Sequence, residues 1–189
     1  MGYGIEKKKH LGGYIVDLTD HGDPNSYATE VWDKMVDEGI KSVVDIGCGQ
    51  GFSTQYFLNK NIDCVGIEGG EIAFNSSPVK DHLILHDYTK GPLKIDRRFD
   101  AAWTCEFVEH VEEKYCNHFL HTFSLCDNIF MTHANVGQEG YHHVNCQPSS
   151  YWIEKLNALG FKYDNDATSM YKALSPQCLH LRNLLVFIK

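Results

Sequence analysis

Between residues 27 and 36 the apolar positions fall at helical spacing. Tyr27, Val31 and Met35 share a stripe with Trp32 and Val36 beside them, and Gly39 follows where a helix C-cap belongs. The pattern predicts a helix over 26–38. The period then shortens: Lys41-Ser42-Val43-Val44-Asp45-Ile46 is a β-branched run ending at Gly47, and 52–59 reads as a helix opening just after the glycines. Further strands are predicted over 63–67, 82–85, 99–104 and 128–132. A helix is expected after the 99–104 strand, with Val108, Val111, Tyr115, Phe119 and Phe123 on one face. Another helix, over 150–159, places Trp152, Ile153, Leu156 and Leu159 on one face and stops at Gly160, and two short strands, 161–163 and 184–188, close the chain. Strands alternating with helices imply an α/β fold: a seven-stranded, mostly parallel sheet with helices on both faces and ligands at the carboxyl ends of its strands.

Composition narrows the class. The chain has 189 residues, enough for one domain with its own core, divided here into an N-terminal segment and helix (1–39) and a sheet-containing core (40–189). Acidic side chains number 25 and basic ones 17, a net charge of −8, with Lys7-Lys8-Lys9 the only basic run. This counts against a surface that tracks nucleic-acid phosphates. No apolar stretch is long enough for a membrane span and the first residues do not read as a signal peptide, so a soluble cytoplasmic protein is expected. The seven cysteines form no C-x-x-C pair, which favours reduced thiols, with Cys48, Cys64 and Cys105 lying in apolar or strand-like runs.

The chemistry concentrates where strands end. Asp45-Ile46-Gly47-Cys48-Gly49-Gln50-Gly51 marks a strand-to-helix turn in which glycines permit positive φ and close approach of a ligand to the backbone. Glu68 ends the next strand, 19 residues after Gly49, where a carboxylate reaches the two hydroxyls of a ribose. A nicotinamide loop would carry a glycine at Phe52, and a phosphate-binding P-loop would need Gly-Lys-Ser/Thr; both are absent.

Asp45, Gly47, Gly49 and Gly51 resemble the first motif of class I S-adenosylmethionine-dependent methyltransferases. The resemblance continues through Glu68, Asp87 and the segment Glu106-Phe107-Val108-Glu109-His110-Val111, and it covers about residues 40–189. It implies a Rossmann-like sheet with an antiparallel last strand and S-adenosylmethionine as cofactor, released as S-adenosylhomocysteine. The expected cofactor-binding residues are Asp45, Gly47, Cys48, Gly49, Glu68, Gly69, Asp87, Tyr88 and Glu106. Glu68 would hold the ribose and Asp87 the adenine amino group, with Tyr88 flanking the ring. The N-terminal segment, with His10-Leu11-Gly12-Gly13-Tyr14-Ile15 and Gly22-Asp23-Pro24, is expected to close over the ligand as a lid.

An oxygen acceptor needs a base as the new bond forms, and histidine is the usual one. His110, His133, His142 and His143 lie beyond the carboxyl ends of the last two parallel strands, and the polar stretch from Thr132 to Pro148 is the expected acceptor site. His142 or His143 is read as the base, with Glu106 and His110 shaping the pocket. Glu106 and Glu109 with the histidines also compose a less favoured magnesium-like or transition-metal site. The stretch Tyr-His-His-Val-Asn-Cys-Gln-Pro, followed by Tyr151-Trp152, resembles small phage, large-virus or bacterial methyltransferases linked with sugar O-methylation. It implies a glycan or small-molecule acceptor, a Tyr151 or Trp152 face for a sugar, and the host cytoplasm if the source is viral. The alternatives are a small metabolite, protein or RNA acceptor, a module that binds the adenosyl ligand without catalysis, and a nicotinamide oxidoreductase.

Overall fold

Two apolar faces on every central strand organise the fold. The computed structural model describes residues 2–5, 8–11, 13–16, 23 and 25–189. Gly2–Ile5 (β1) and Gly13–Val16 (β2) pair as a separate antiparallel hairpin. The chain continues through α1 (Thr29–Asp37), β3 (Ser42–Ile46), α2 (Phe52–Asn59), β4 (Asp63–Glu68), α3 (Glu71–Ser76), β5 (Leu83–Leu85) and β6 (Phe99–Thr104). It ends with α4 (Cys116–Ser124), β7 (Cys126–Met131), α5 (Ser149–Asn157), β8 (Lys162–Tyr163), α6 (Asn165–Leu174) and β9 (Leu185–Ile188).

The main sheet has seven strands in the order β5-β4-β3-β6-β7-β9-β8. The first five run parallel, and β9 lies antiparallel between β7 and β8. The antiparallel last strand expected from the sequence is present. Val44, Ala102 and Ile129 face one layer, packed with Phe119 and Phe123 of α4 and Trp152 and Leu156 of α5. Their neighbours Val43, Ala101 and Phe130 face the other, against Trp32, Phe57 and Tyr171. Both faces are covered, which is why these strands read as continuous apolar runs rather than as alternating ones. The strand order reverses between β3 and β6, so a crevice opens at their carboxyl ends. Among the described residues, no helix is long and apolar enough to cross a membrane.

The structure departs from the pattern in three places. The helix expected after β6 is broken into single turns at 108–110 and 113–115 before α4. Glu106 has φ 55°, and Glu112 is extended with ψ 139°, so the backbone cannot stay helical. Even so, Val108, Val111, Phe119 and Phe123 are buried as the stripe predicts. The second departure is α6, which was not anticipated. Asp164 caps it by accepting the Ala167 N–H at 2.8 Å, and Ala167, Met170, Tyr171 and Leu174 form its packed face. Third, α3 adds a short helix after β4, while α1 begins at Thr29 and the late strands shrink to 162–163 and 185–188.

Candidate active site

The crevice holds a pocket of about 400 Å³, the size of a small-ligand site. Its first wall is the loop leaving β3. Gly47 (φ 72°), Gly49 (φ 57°) and Gly51 (φ 79°) all lie in the left-handed region, so the turn can be made only at little cost with glycine. At Gly47 a Cβ would also stand 2.6 Å from the Phe107 ring, a second reason that position excludes side chains. Asp45 stands beneath this loop rather than on the pocket wall. It is 2 % exposed and accepts from Ser53 Oγ at 2.5 Å and Thr54 Oγ1 at 2.7 Å. Burial pushes its carboxyl up to about 6 against those hydrogen bonds. Its position makes it a brace between β3 and α2, where the sequence reading had placed a direct cofactor contact.

Glu68 lies on the wall at the end of β4 and accepts the Gly49 N–H at 2.8 Å and the Gly70 N–H at 2.6 Å. Two backbone donors thus set the carboxylate's orientation. Cys48, Gly49, Gly69, Asp87 and Tyr88 also line the pocket. Asp87 accepts from Thr89 N–H at 2.9 Å and from Thr89 Oγ1 at 2.7 Å, and the His10 ring N–H donates to it at 3.0 Å. Burial works to raise the Asp87 pKa, but these donors outweigh it and hold the carboxyl below its ordinary value. Tyr88 is buried, its hydroxyl bonded to Thr122 Oγ1 and its ring edge-on to Phe107, so it is part core and part wall.

The second wall carries the titratable groups. Glu106, His110 and His143 line the pocket and present ligand atoms all within 4.8 Å of one another. His143 Nδ1–H donates to the Gln138 carbonyl at 3.1 Å, so in the neutral ring Nε2 is the nitrogen with the lone pair; it stands 3.9 Å from Glu106 Oε2. His110 and His143 meet edge to face with centroids 5.0 Å apart. Burial, and then the neighbouring His143, lower the His110 pKa to about 4, so the ring is neutral. Glu109 is fully buried beside Glu106, and burial followed by the Glu106 charge push its carboxyl up to about 8. Glu106 is tied by His180, whose Nδ1 lies 3.0 Å from Glu106 Oε1 while Nε2 lies 2.9 Å from Asp23 Oδ2. Burial disfavours the charge on His180, yet the two carboxylates outweigh it and raise the pKa to about 9. An ion-paired bridge thereby joins the N-terminal segment to the site.

The remaining predicted residues sort by position. His142 adopts φ 55°, does not line the pocket, and has a buried Nε2 with no hydrogen-bond partner among the described residues. His133 is 1 % exposed and bonded to Ser149 Oγ, a core histidine. Trp152 is 0 % exposed inside the core, which rules it out as a sugar-stacking face, and Tyr151 bonds Glu113 away from the pocket. Of the aromatic residues that line the pocket, Tyr141 is 43 % exposed. His180 was unassigned from the sequence, because no local pattern announces a histidine whose partners lie 157 and 74 residues away in sequence. His10, Leu11 and Asp23 of the N-terminal segment also face the pocket, whereas Gly12, Gly22 and Pro24 lie outside the described residues. All seven cysteines carry free thiols.

No protein-family model matches the chain. The tocopherol O-methyltransferase of Arabidopsis thaliana is 32 % identical over 94 residues, 44 % of this chain and 27 % of the relative, so the chain spans only about a quarter of the curated relatives it matches. Among solved structures, Streptomyces venezuelae DesVI superposes with a TM-score of 0.66 at 14 % identity, covering 93 % of this chain and 99 % of that one. This is the class I methyltransferase fold. Magnesium protoporphyrin IX methyltransferase from Synechocystis, solved with bound S-adenosylhomocysteine, shares the fold at a TM-score of 0.59, 14 % identity and 75 % and 74 % coverage. In a methyltransferase of this fold, the loop after β3 and the acid ending β4 stand where the sequence resemblance assigned the cofactor. Glu68→Ala is therefore expected to weaken S-adenosylhomocysteine binding about 10-fold or more, at roughly 1.4 kcal/mol per decade. Isothermal titration checks it, and unchanged affinity at an unchanged melting temperature would remove Glu68 from the ribose site.

Proposed function

We propose that this chain is an S-adenosylmethionine-dependent O-methyltransferase whose acceptor is a sugar hydroxyl. The observation that carries the reading is one pocket lined by the glycine loop, Glu68 and Asp87 together with His143, whose Nδ1 is held by the Gln138 carbonyl. Gly49 leaves its Cβ direction open, with nothing within 4 Å, so an amino-acid end can approach the loop backbone. Glu68 suits a ribose diol and Asp87 a base amino group, and Cys48, Gly69 and Tyr88 complete that side. When bound, the cofactor supplies an electrophilic methyl on a cationic sulfur. The residues of this chain align the acceptor oxygen, and His143 Nε2 takes its proton as the oxygen–carbon bond forms and the electron pair of the broken bond stays on sulfur. His110, neutral and packed against His143, and Glu106 shape the acceptor side.

Three features support a hydroxylated acceptor. The 132–148 segment is polar, Tyr141 offers a half-exposed ring at the pocket, and the −8 charge disfavours a phosphate chain. The relatives' name carries an oxygen acceptor as well. We assign the N-terminal segment the role of a lid, held by His10 on Asp87 and by Asp23 on His180. Seven free thiols favour a reducing compartment such as the cytoplasm.

The test is transfer of label from methyl-labelled S-adenosylmethionine into carbohydrate, small-molecule, protein and nucleic-acid fractions of a cell extract. Label in carbohydrate supports the sugar acceptor. Label elsewhere keeps the transferase and discards the sugar. S-adenosylhomocysteine binding with no label in any fraction would make the chain a binding module.

A further inference from the structure

We infer that Glu106, His110 and His143 form a site for a divalent transition-metal ion on the acceptor wall of the pocket, with the buried carboxyl of Glu109 behind Glu106. Glu106, His110 and His143 already offer three donor atoms within 4.8 Å of one another. Ligands of a common ion at about 2.0–2.2 Å stand roughly 3–4 Å apart, so small side-chain rotations bring the set into range. The 3.9 Å from His143 Nε2 to Glu106 Oε2 is there already.

The independent observation is Glu109. Its side chain is 0 % exposed, it lies against Glu106, and neither of its carboxyl oxygens has a hydrogen-bond partner among the described residues. A carboxyl with no donor, buried beside a second carboxyl, is an expensive arrangement in a protein interior. A cation held at Glu106 offsets the cost of the second carboxyl buried behind it. Nδ1 of His110 is a second such atom, buried and without a hydrogen-bond partner among the described residues.

The surroundings hold the donors as a metal site requires. His143 is oriented by the Gln138 carbonyl on Nδ1, which fixes Nε2 as the ligand atom, and Glu106 Oε1 is held by His180, which turns Oε2 toward His143. The chemistry of the donors selects the ion. Two imidazole nitrogens with the Glu106 carboxylate suit manganese, iron, cobalt or zinc, whereas magnesium and calcium prefer all-oxygen sets. Because Glu106, His110 and His143 line the pocket, the ion keeps an open face for a ligand.

This inference rests on the proposed methyl transfer in one respect, that the open face receives the acceptor hydroxyl. A single lone pair serves one partner, so with the ion in place His143 Nε2 is a ligand, and the hydroxyl loses its proton more easily because its oxygen is bound to a cation. The proton then leaves to solvent, and the ion remains unchanged through the reaction.

The experiment uses the full chain, freed of metal with a chelator and dialysed, then titrated with Co2+ while visible absorption is recorded. S-adenosylhomocysteine binding is measured on the same samples. One equivalent of Co2+ is expected to saturate the nitrogen-ligated absorption bands. Both His143→Ala and the shape-preserving Glu106→Gln are expected to weaken Co2+ binding by at least about 10-fold in metal-free protein that circular dichroism shows to be folded. No saturable absorption below millimolar Co2+, or equal binding by wild type and both variants, overturns the site. The outcomes separate the two proposals: methyl transfer that persists in excess chelator overturns the ion's role and leaves the transferase standing. Stoichiometric Co2+ binding with no methyl transfer to any acceptor leaves the ion site and overturns the transferase.

Discussion

His143→Ala is expected to lower methyl-transfer turnover by about 10²–10⁴-fold, the range associated with a positioned proton-transfer group. S-adenosylhomocysteine affinity should be unchanged, because His143 is held against Gln138, Glu106 and His110 rather than on the glycine loop. The expectation holds whether Nε2 takes the acceptor proton or holds an ion that acidifies the hydroxyl, since either way the alanine leaves the acceptor oxygen without its activating group. Gln138 strengthens the argument: its carbonyl accepts the hydrogen bond from Nδ1–H, so in the neutral ring the other nitrogen is the one with a lone pair. His142→Ala is the informative partner. That side chain does not line the pocket, so its loss should cost far less turnover. Single-turnover rates with saturating cofactor make the comparison, and normal turnover in His143→Ala would remove this histidine from the chemistry.

Trp152→Ala should destabilise the protein by about 3–5 kcal/mol, the cost of emptying a large aromatic site in a core that cannot collapse around it. Trp152 is 0 % exposed and packs on Phe119 with ring centroids 6.2 Å apart. It anchors α5, the helix that follows directly on the 132–148 acceptor segment. Urea unfolding gives the free energy, and a loss below about 1 kcal/mol would mean that the ring is not the anchor described. Were Trp152 a platform for the acceptor, the same substitution would raise KM and spare stability. The two measurements separate packing from recognition at this residue.

Much of the architecture was legible because it depends on local pattern. The β-branched run ending at Gly47 and the apolar runs of β4, β6 and β7 are strands for reasons contained in a few residues each. Their parallel arrangement follows from the helices between them. What could not be read was backbone interruption and distant partnership. The Val108-to-Phe123 stripe correctly marked a buried face, but the same spacing is compatible with a continuous helix, and only the positive φ of Glu106 and the extended Glu112 show that the chain bends there. α6 carried its own signals, the Asp164 cap and the apolar set beginning at Ala167, which were weak beside the stronger strand pattern that follows.

In the site, the residues on one strand end were found and those shared between elements were not. Glu106, His110 and His143 were all named, yet Asp45 proved to brace the loop from below. The carboxylate needed on the pocket wall comes from Glu68, held by two backbone donors. His180 escaped because nothing near it in sequence sets it apart from an ordinary surface residue, while Tyr141 was legible only as part of the polar 132–148 stretch.

The bridge from Asp23 through His180 to Glu106 has a thermodynamic corollary. Coupling between two sites is reciprocal, so any acceptor or ion that improves the hold of His180 on Asp23 must itself bind more tightly, by the same factor, when the N-terminal segment is in place. Clipping off that segment, and with it the His10, Leu11 and Asp23 lining, would then appear as lost acceptor affinity at a pocket whose acceptor wall is intact. The first two dozen residues would be part of the specificity of a site that lies more than eighty residues further along the chain.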